Sequence, residues 1–269
     1  MTARHALRSF RGITRREVLR FSRQRGRLLS SVVRPMLWLI VFGAGFHGIL
    51  GVSIVPPYET YVTYREYMVP GLICIILLFN GMLSSLSLVY DREMGMMRVL
   101  LTAPLPRWWL LFSKLAAGTL LSVILAYVFL GAAWAFDARI PPAGWLTILP
   151  AVLLAGLMLG AIGLMLSVHV RQMENFAGAM NFVIFPMFFI SSALFPLWKL
   201  QEAGSLWLWW IARVNPFTHA VELIRFAAYG RLASVSLAVV AGVGLGAFLV
   251  AVAGYDPGRS LLRPRRAAP

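Results

Sequence analysis

Away from the N-terminus, the ionisable residues dense enough to suggest catalysis are Asp91, Glu93 and Lys114, two carboxylates and an amine of the kinds that act as general acid and base. A membrane-embedded transferase would need such groups to converge on one face. Glu222 and Arg225 stand one helical turn apart and are expected to pair with each other. Asn80 and Asn181 fall inside apolar runs, where unpaired polarity is costly and often functional. His5, His47, His169 and His219 are scattered without ligand spacing, so no metal site is expected. Cys74 is the single cysteine, which excludes a disulfide within the chain. The phosphate-cradling pattern Gly-x-x-x-x-Gly-Lys-Ser/Thr is absent, so no nucleotide site of that kind is expected here, and ATP would be handled by another subunit. No apolar run carries the serial carboxylates or histidines of an ion relay, nor is an internal repeat evident, which argues against a secondary transporter.

The elements that hold these residues are set by composition. Of 269 residues, 59% are apolar and only 13% charged, too little polar material to cover a soluble globule. Runs free of Asp, Glu, Lys and Arg extend over Pro35–Tyr58, Tyr67–Tyr90, Leu115–Phe136, Ile140–Val170, Asn175–Trp198 and Leu232–Tyr255. Each exceeds the roughly 20 residues a helix needs to cross about 30 Å of hydrocarbon, so six spans are expected, at about 35–55, 67–90, 111–135, 145–168, 176–196 and 233–254. Cations resist translocation, and most of the 25 lie in 1–34, 91–114, 169–174 and the tail from Asp256. Both termini are therefore expected in the cytoplasm, leaving Arg65, Arg139, Lys199, Arg213, Arg225 and Arg231 on the other side. The net charge of +15 reads as a topogenic and lipid-facing bias and not as a nucleic-acid footprint, because the arginines flank spans without interleaved stacking aromatics. The arginine-rich first 34 residues are too long for a signal-peptide n-region, so the first span is expected to stay.

Between the spans, Leu7, Phe10, Thr14, Val18 and Phe21 recur at three- and four-residue spacing and leave Arg8, Arg11, Arg15 and Arg16 to other faces, predicting an amphipathic interfacial helix. From Asp91 a short cytoplasmic helix is expected, ended by Pro104 and Pro106, with Met94, Met97, Leu100 and Leu101 on one side for a partner to cover. The stretch 197–231 is too charged for a span, and its half-length apolar runs Ala203–Ala212 and Val214–Val221, broken at Asn215-Pro216, suit re-entrant helices. Trp198, Trp207, Trp209 and Trp210 gather there, as in an interfacial aromatic belt. Gly156-xxx-Gly160 and Gly242-xxx-Gly246 are candidate close-approach points for helices.

The order of these features resembles the ABC exporter permeases of the second type, which include drug, lipid-linked glycan and lipo-oligosaccharide exporters. The likeness rests on Tyr67-Met-Val-Pro-Gly71, Asp91-Arg-Glu-Met-Gly95, Leu100-Leu-Thr-Ala-Pro104, Lys114, Phe195-Pro196, Asn215-Pro-Phe217 and Glu222-Leu-Ile-Arg225, and covers nearly the whole chain. It implies an all-α integral membrane permease of six spans in the bacterial inner membrane, a single domain over 1–269 with an interfacial helix in 1–34, a coupling helix in 91–110, external re-entrant helices in 197–231 and a cytoplasmic tail at 255–269. It further implies a homodimer on two ATPase subunits that carry ATP and Mg, membrane lipids as neighbours, and no nucleic acid. Carried over, Glu17, Asp91, Arg92, Glu93, Gly95, Met97 and Arg98 would meet the ATPase. Trp207, Trp209, Trp210, Asn215, Pro216, Glu222 and Arg225 would belong to the external gate, and Asn80, Phe182, Phe185 and Phe189 to the substrate path.

Overall fold

Where hydrocarbon is the solvent, a backbone must satisfy its own hydrogen bonds, and the long elements here are all helices. The computed structural model describes residues 3–23, 25–45, 56–58, 62–94, 106–170 and 172–255, and none of these forms a strand. The helices are α1 (Ala3–Arg23), α2 (Arg25–Gly45), α3 (Tyr64–Glu93), α4 (Arg107–Ala135), α5 (Gly144–His169), α6 (Met173–Phe189), α7 (Leu197–Glu202), α8 (Leu206–Val214), α9 (Pro216–Ala228) and α10 (Ser234–Gly254).

Four of them, α3, α4, α5 and α10, are long and apolar enough to cross a bilayer. The expected first and fifth spans are shorter within the described residues. The apolar part of α2 is Leu29–Gly45, and 46–55 lie outside them. The 17 residues of α6 rise about 26 Å, and the chain leaves the helix after Phe189 instead of continuing to 196. Asp91 and Glu93 also depart from expectation. They are the last turn of α3 and not the start of a separate helix, since nothing between Tyr90 and Glu93 breaks the pattern. Gly95, Met97 and Arg98 lie outside the described residues. The break at Asn215 stands where expected, between α8 and α9, with the additional short α7 ahead of them.

The bundle is built around α3 and α5, each buried over 72% of its most apolar stretch, whereas only 22% of α10 is covered. α3 and α5 approach through glycine: a methyl on Gly81 would lie 3.0 Å from the Gly160 Cα. The expected Gly242-xxx-Gly246 contact is not made, because both positions face open space, and Gly244 meets Met158 instead. The interfacial helix is rotated from its expected register. α1 rests mainly on α4 and turns Phe10, Ile13, Glu17 and Phe21 inward, while Leu7 and Val18 face out with Arg8, Arg11 and Arg15.

Candidate functional site

The inward turn of Glu17 is accounted for by its neighbours. Arg16 Nη2 donates to Glu17 Oε1 at 3.0 Å and reaches Asp91 Oδ2 at 3.4 Å, and Asp91 Oδ2 also takes Lys114 Nζ at 2.6 Å. Two cations and two carboxylates thus form one neutral chain across α1, α3 and α4. Asp91 and Lys114 side chains are only 6% and 5% exposed, so each is the condition for burying the other. The Arg16 guanidinium is held above its ordinary pKa: burial opposes its charge, but the carboxylates of Glu17 and Asp91 more than offset that. Further along α1, Ser9 accepts from Trp109 Nε1 at 3.3 Å and Phe10 packs on the same indole. Glu17 and Asp91, expected to meet a partner, are therefore turned into the chain. Arg16 and Lys114 complete the cluster, and no local spacing marks them out for it.

Glu93 does stand exposed, and its Oε1 accepts the Met173 backbone N–H at 2.9 Å, capping the first turn of α6, where the helix dipole favours a carboxylate. The end of α3 is thereby bonded to α1, α4 and α6 together. The α3 helix includes Arg92.

Beneath α1 the bundle leaves a cavity of about 230 Å³, lined by Glu17, Arg20, Asn80, Ser84, Ser87 and Tyr90 among others. Asn80 is buried, accepting from Ser31 Oγ of α2 at 3.3 Å and donating to the Ile76 carbonyl at 3.0 Å. Phe182, Phe185 and Phe189, expected with it on the substrate path, are not among the residues lining this cavity. Phe182, Phe185 and Phe189 lie on one outward face of α6, with Asn181 also exposed; Phe185 and Phe189 stack at 6.1 Å. Phe189 also meets Trp38 of α2 at 5.8 Å.

At the opposite end of α3, side chains hold the irregular turn that follows α6. A helix end buried without partners for its carbonyls would be costly. Tyr67 donates to the Ser192 carbonyl at 2.8 Å and Tyr64 to the Leu194 carbonyl at 2.9 Å. Asn215 Nδ2 reaches the Met187 and Ile190 carbonyls at 2.8 and 2.5 Å, while its Oδ1 accepts from Phe217 N at 2.9 Å. One asparagine thus closes α6 and caps α9, with Pro216 at the first helical position, where no N–H is needed. Arg225 is buried. It pairs with Glu222 as expected, donates to the Ser192 carbonyl at 2.8 Å and lies 4.0 Å over the Tyr67 ring. Sequence reading missed Tyr64 and Ser192 and gave Tyr67 only as part of a motif, although the tyrosine spacing places both hydroxyls on one helix face. Trp207 and Trp210 are exposed on α8, and Arg213 lies 4.9 Å over Trp209.

No group of three His, Cys, Asp or Glu side chains among the described residues could hold a metal ion. The Lys114–Asp91 pair is buried and mutually satisfied, an arrangement suited to fixing helices and not to proton transfer with a substrate.

Comparison with known proteins places this architecture. The family model for ABC-2 type transporters matches residues 8–229. The chain is 29% identical over 217 residues to a protein of Porphyra purpurea named as a transport permease, ycf38, covering 80% of this chain and 72% of the other. It is 28% identical over 172 residues to one of Escherichia coli K12 named as a multidrug ABC transporter permease, YbhR, covering 62% of this chain and 45% of that one. Nodulation protein J of Rhizobium leguminosarum bv. viciae is 24% identical over 209 residues, 74% of this chain and 73% of its own length. With the family model spanning most of the sequence and four long apolar helices in the bundle, the chain belongs to the ABC-2 type transporters as a multi-pass membrane permease.

Proposed function

We propose that this chain is the membrane-spanning subunit of an ATP-driven exporter, in which two copies pair to form the substrate path. Each copy rests on a separate cytoplasmic ATPase that binds ATP and Mg. In this reading α2 and α6 are the first and fifth of six spans in the bacterial inner membrane, both termini being cytoplasmic. The observation that carries the proposal is the ion chain Glu17–Arg16–Asp91–Lys114. It joins α1 to the two helices that flank residues 95–105, so a push received there would move three helices as one body instead of bending one. Arg92, Glu93, Gly95, Met97 and Arg98 meet the ATPase, the outward arginines of α1 add a second contact, and Glu17 and Asp91 fix the frame behind them.

ATP would favour one of two arrangements of the pore, and the differential contact is made at this frame. The outward face of α6, with Phe182, Phe185 and Phe189, borders the path together with the Asn80 cavity. The turn held by Asn215 and Arg225, with Pro216, Glu222 and the α8 tryptophans, forms the external gate. The chain performs no covalent chemistry.

Purification in mild detergent tests the assembly directly. A soluble ATPase is expected to co-purify at one copy per permease, in a complex of two and two. Glu93→Arg is expected to lose that ATPase or its stimulated turnover while the helices still insert. Wild-type association and turnover in Glu93→Arg, or no co-purifying ATPase at all, overturns the reading.

A further inference from the structure

The cavity beneath α1 carries opposite charges that do not neutralise each other. Glu17 and Arg20 are one helical turn apart and both line it, yet Glu17 is bonded to Arg16 and Arg20 lies 5.4 Å over the Tyr90 ring, with no ion pair between the two. Around them stand the hydroxyls of Ser84, Ser87 and Tyr90, and Asn80 is also in the lining. On α3 the residues 80, 84, 87 and 90 share one face and mark a slot about 15 Å long at 1.5 Å per residue. A volume of about 230 Å³ is below the roughly 300–1,000 Å³ of pockets for drug-sized ligands, so it takes a polar head and not a whole lipid.

Charge selects among possible heads. A purely anionic head would gain Arg20 but face the Glu17 carboxylate, and a cationic ligand would meet the reverse conflict. A neutral sugar would leave Arg20 without an ionic partner and the Glu17 carboxylate with Arg16 alone, in a partly desolvated site. A head carrying an ammonium and a phosphate a few ångströms apart satisfies both, the ammonium at Glu17 and the phosphate at Arg20 with the serine hydroxyls. We infer that this cavity binds the zwitterionic head of an aminophospholipid, its acyl chains remaining in the bilayer beside α1. The inference takes from the proposed function only the position of α1 at the membrane surface, and the bound lipid need not be the cargo. Arg23, exposed near the end of the same helix, is not among the lining residues and serves as an internal control.

The test uses the full chain purified in detergent, titrated with short-chain phosphatidylethanolamine, short-chain phosphatidylglycerol and free glycerophosphoethanolamine, with bound ligand counted by native mass spectrometry. One phosphatidylethanolamine is expected to bind about tenfold more tightly than phosphatidylglycerol, the scale of one charge-assisted hydrogen bond. Glu17→Gln should bring the two lipids within about twofold, Arg20→Gln should weaken both by about tenfold, and Arg23→Gln should change neither. Ser87→Leu fills the cavity while leaving every charge of the ion cluster in place and should abolish binding while thermal unfolding stays at the wild-type value, which keeps the test valid if Glu17→Gln misfolds. Equal binding of the two lipids by the wild type, or undiminished binding by Ser87→Leu, overturns the inference. Free glycerophosphoethanolamine binding as tightly as the lipid would overturn its lipid part. ATPase co-purification does not depend on any of these outcomes, so the two proposals fail separately.

Discussion

Lys114→Met is the most informative single change, because it removes a charge from the cluster while keeping an unbranched side chain of similar length. The Lys114–Asp91 contact is 2.6 Å between side chains that are 5% and 6% exposed. At an effective dielectric near 20 the gross attraction at that distance is about 6 kcal/mol, most of it offset by the desolvation of two ions. The net value of the intact pair is therefore small, but the loss on breaking it is not. Methionine leaves Asp91 buried with only the longer 3.4 Å contact to Arg16, whose own side chain is 44% exposed and so contributes no more than about 1 kcal/mol. The expected cost is about 3–5 kcal/mol. Asp91→Asn/Lys114→Met removes both charges together and is expected to recover most of that loss, with a coupling of at least about 2 kcal/mol between the two sites. Reversible unfolding in mixed micelles, followed by far-UV circular dichroism, measures all the variants on one scale. If the two single costs simply add in the double variant, or if Lys114→Met costs less than about 0.5 kcal/mol, the cluster does not hold α1, α3 and α4 together as argued.

At the other end of the bundle, Arg225→Met leaves Glu222 without its partner and is expected to cost about 3–5 kcal/mol, whereas Arg225→Lys keeps the charge but loses the fork that reaches Glu222 and the Ser192 carbonyl together, at about 1–3 kcal/mol. Thermal unfolding in detergent should rank them in that order, and two variants within about 0.5 kcal/mol of wild type would dismiss the latch. Among the glycines, Gly81→Ala places a methyl 3.0 Å from the Gly160 Cα, where only backbone can yield, and is expected to cost about 1–3 kcal/mol. Gly242→Ala meets nothing within 4 Å and is expected to be neutral within about 0.5 kcal/mol; equal effects at the two positions would refute the α3–α5 approach.

The sequence by itself determined the features that depend on neighbours along the chain. The apolar runs around residues 67–90, 111–135, 145–168 and 233–254 became α3, α4, α5 and α10, because hydrocarbon leaves a backbone little choice but the helix. The break at Asn215-Pro216 and the Glu222–Arg225 pair were equally local, set by proline sterics and by one turn of helix. Tertiary structure decided what depends on distant partners. A carboxylate on the packed face of α1 is ruled out by any amphipathic count, and Glu17 sits there only because Arg16 pairs with it and bridges to Asp91, 75 residues further on. Spacing could not tell Gly244 from Gly242 and Gly246, since all three lie within one helical turn or so and only the rotation of α10 against Met158 selects among them. Arg225 was recognisable as half of an ion pair. That it also holds the Ser192 carbonyl against Tyr67 follows from where α6 gives way, and the turn after Phe189 exists because side chains from α3 and α9 are present to satisfy its carbonyls.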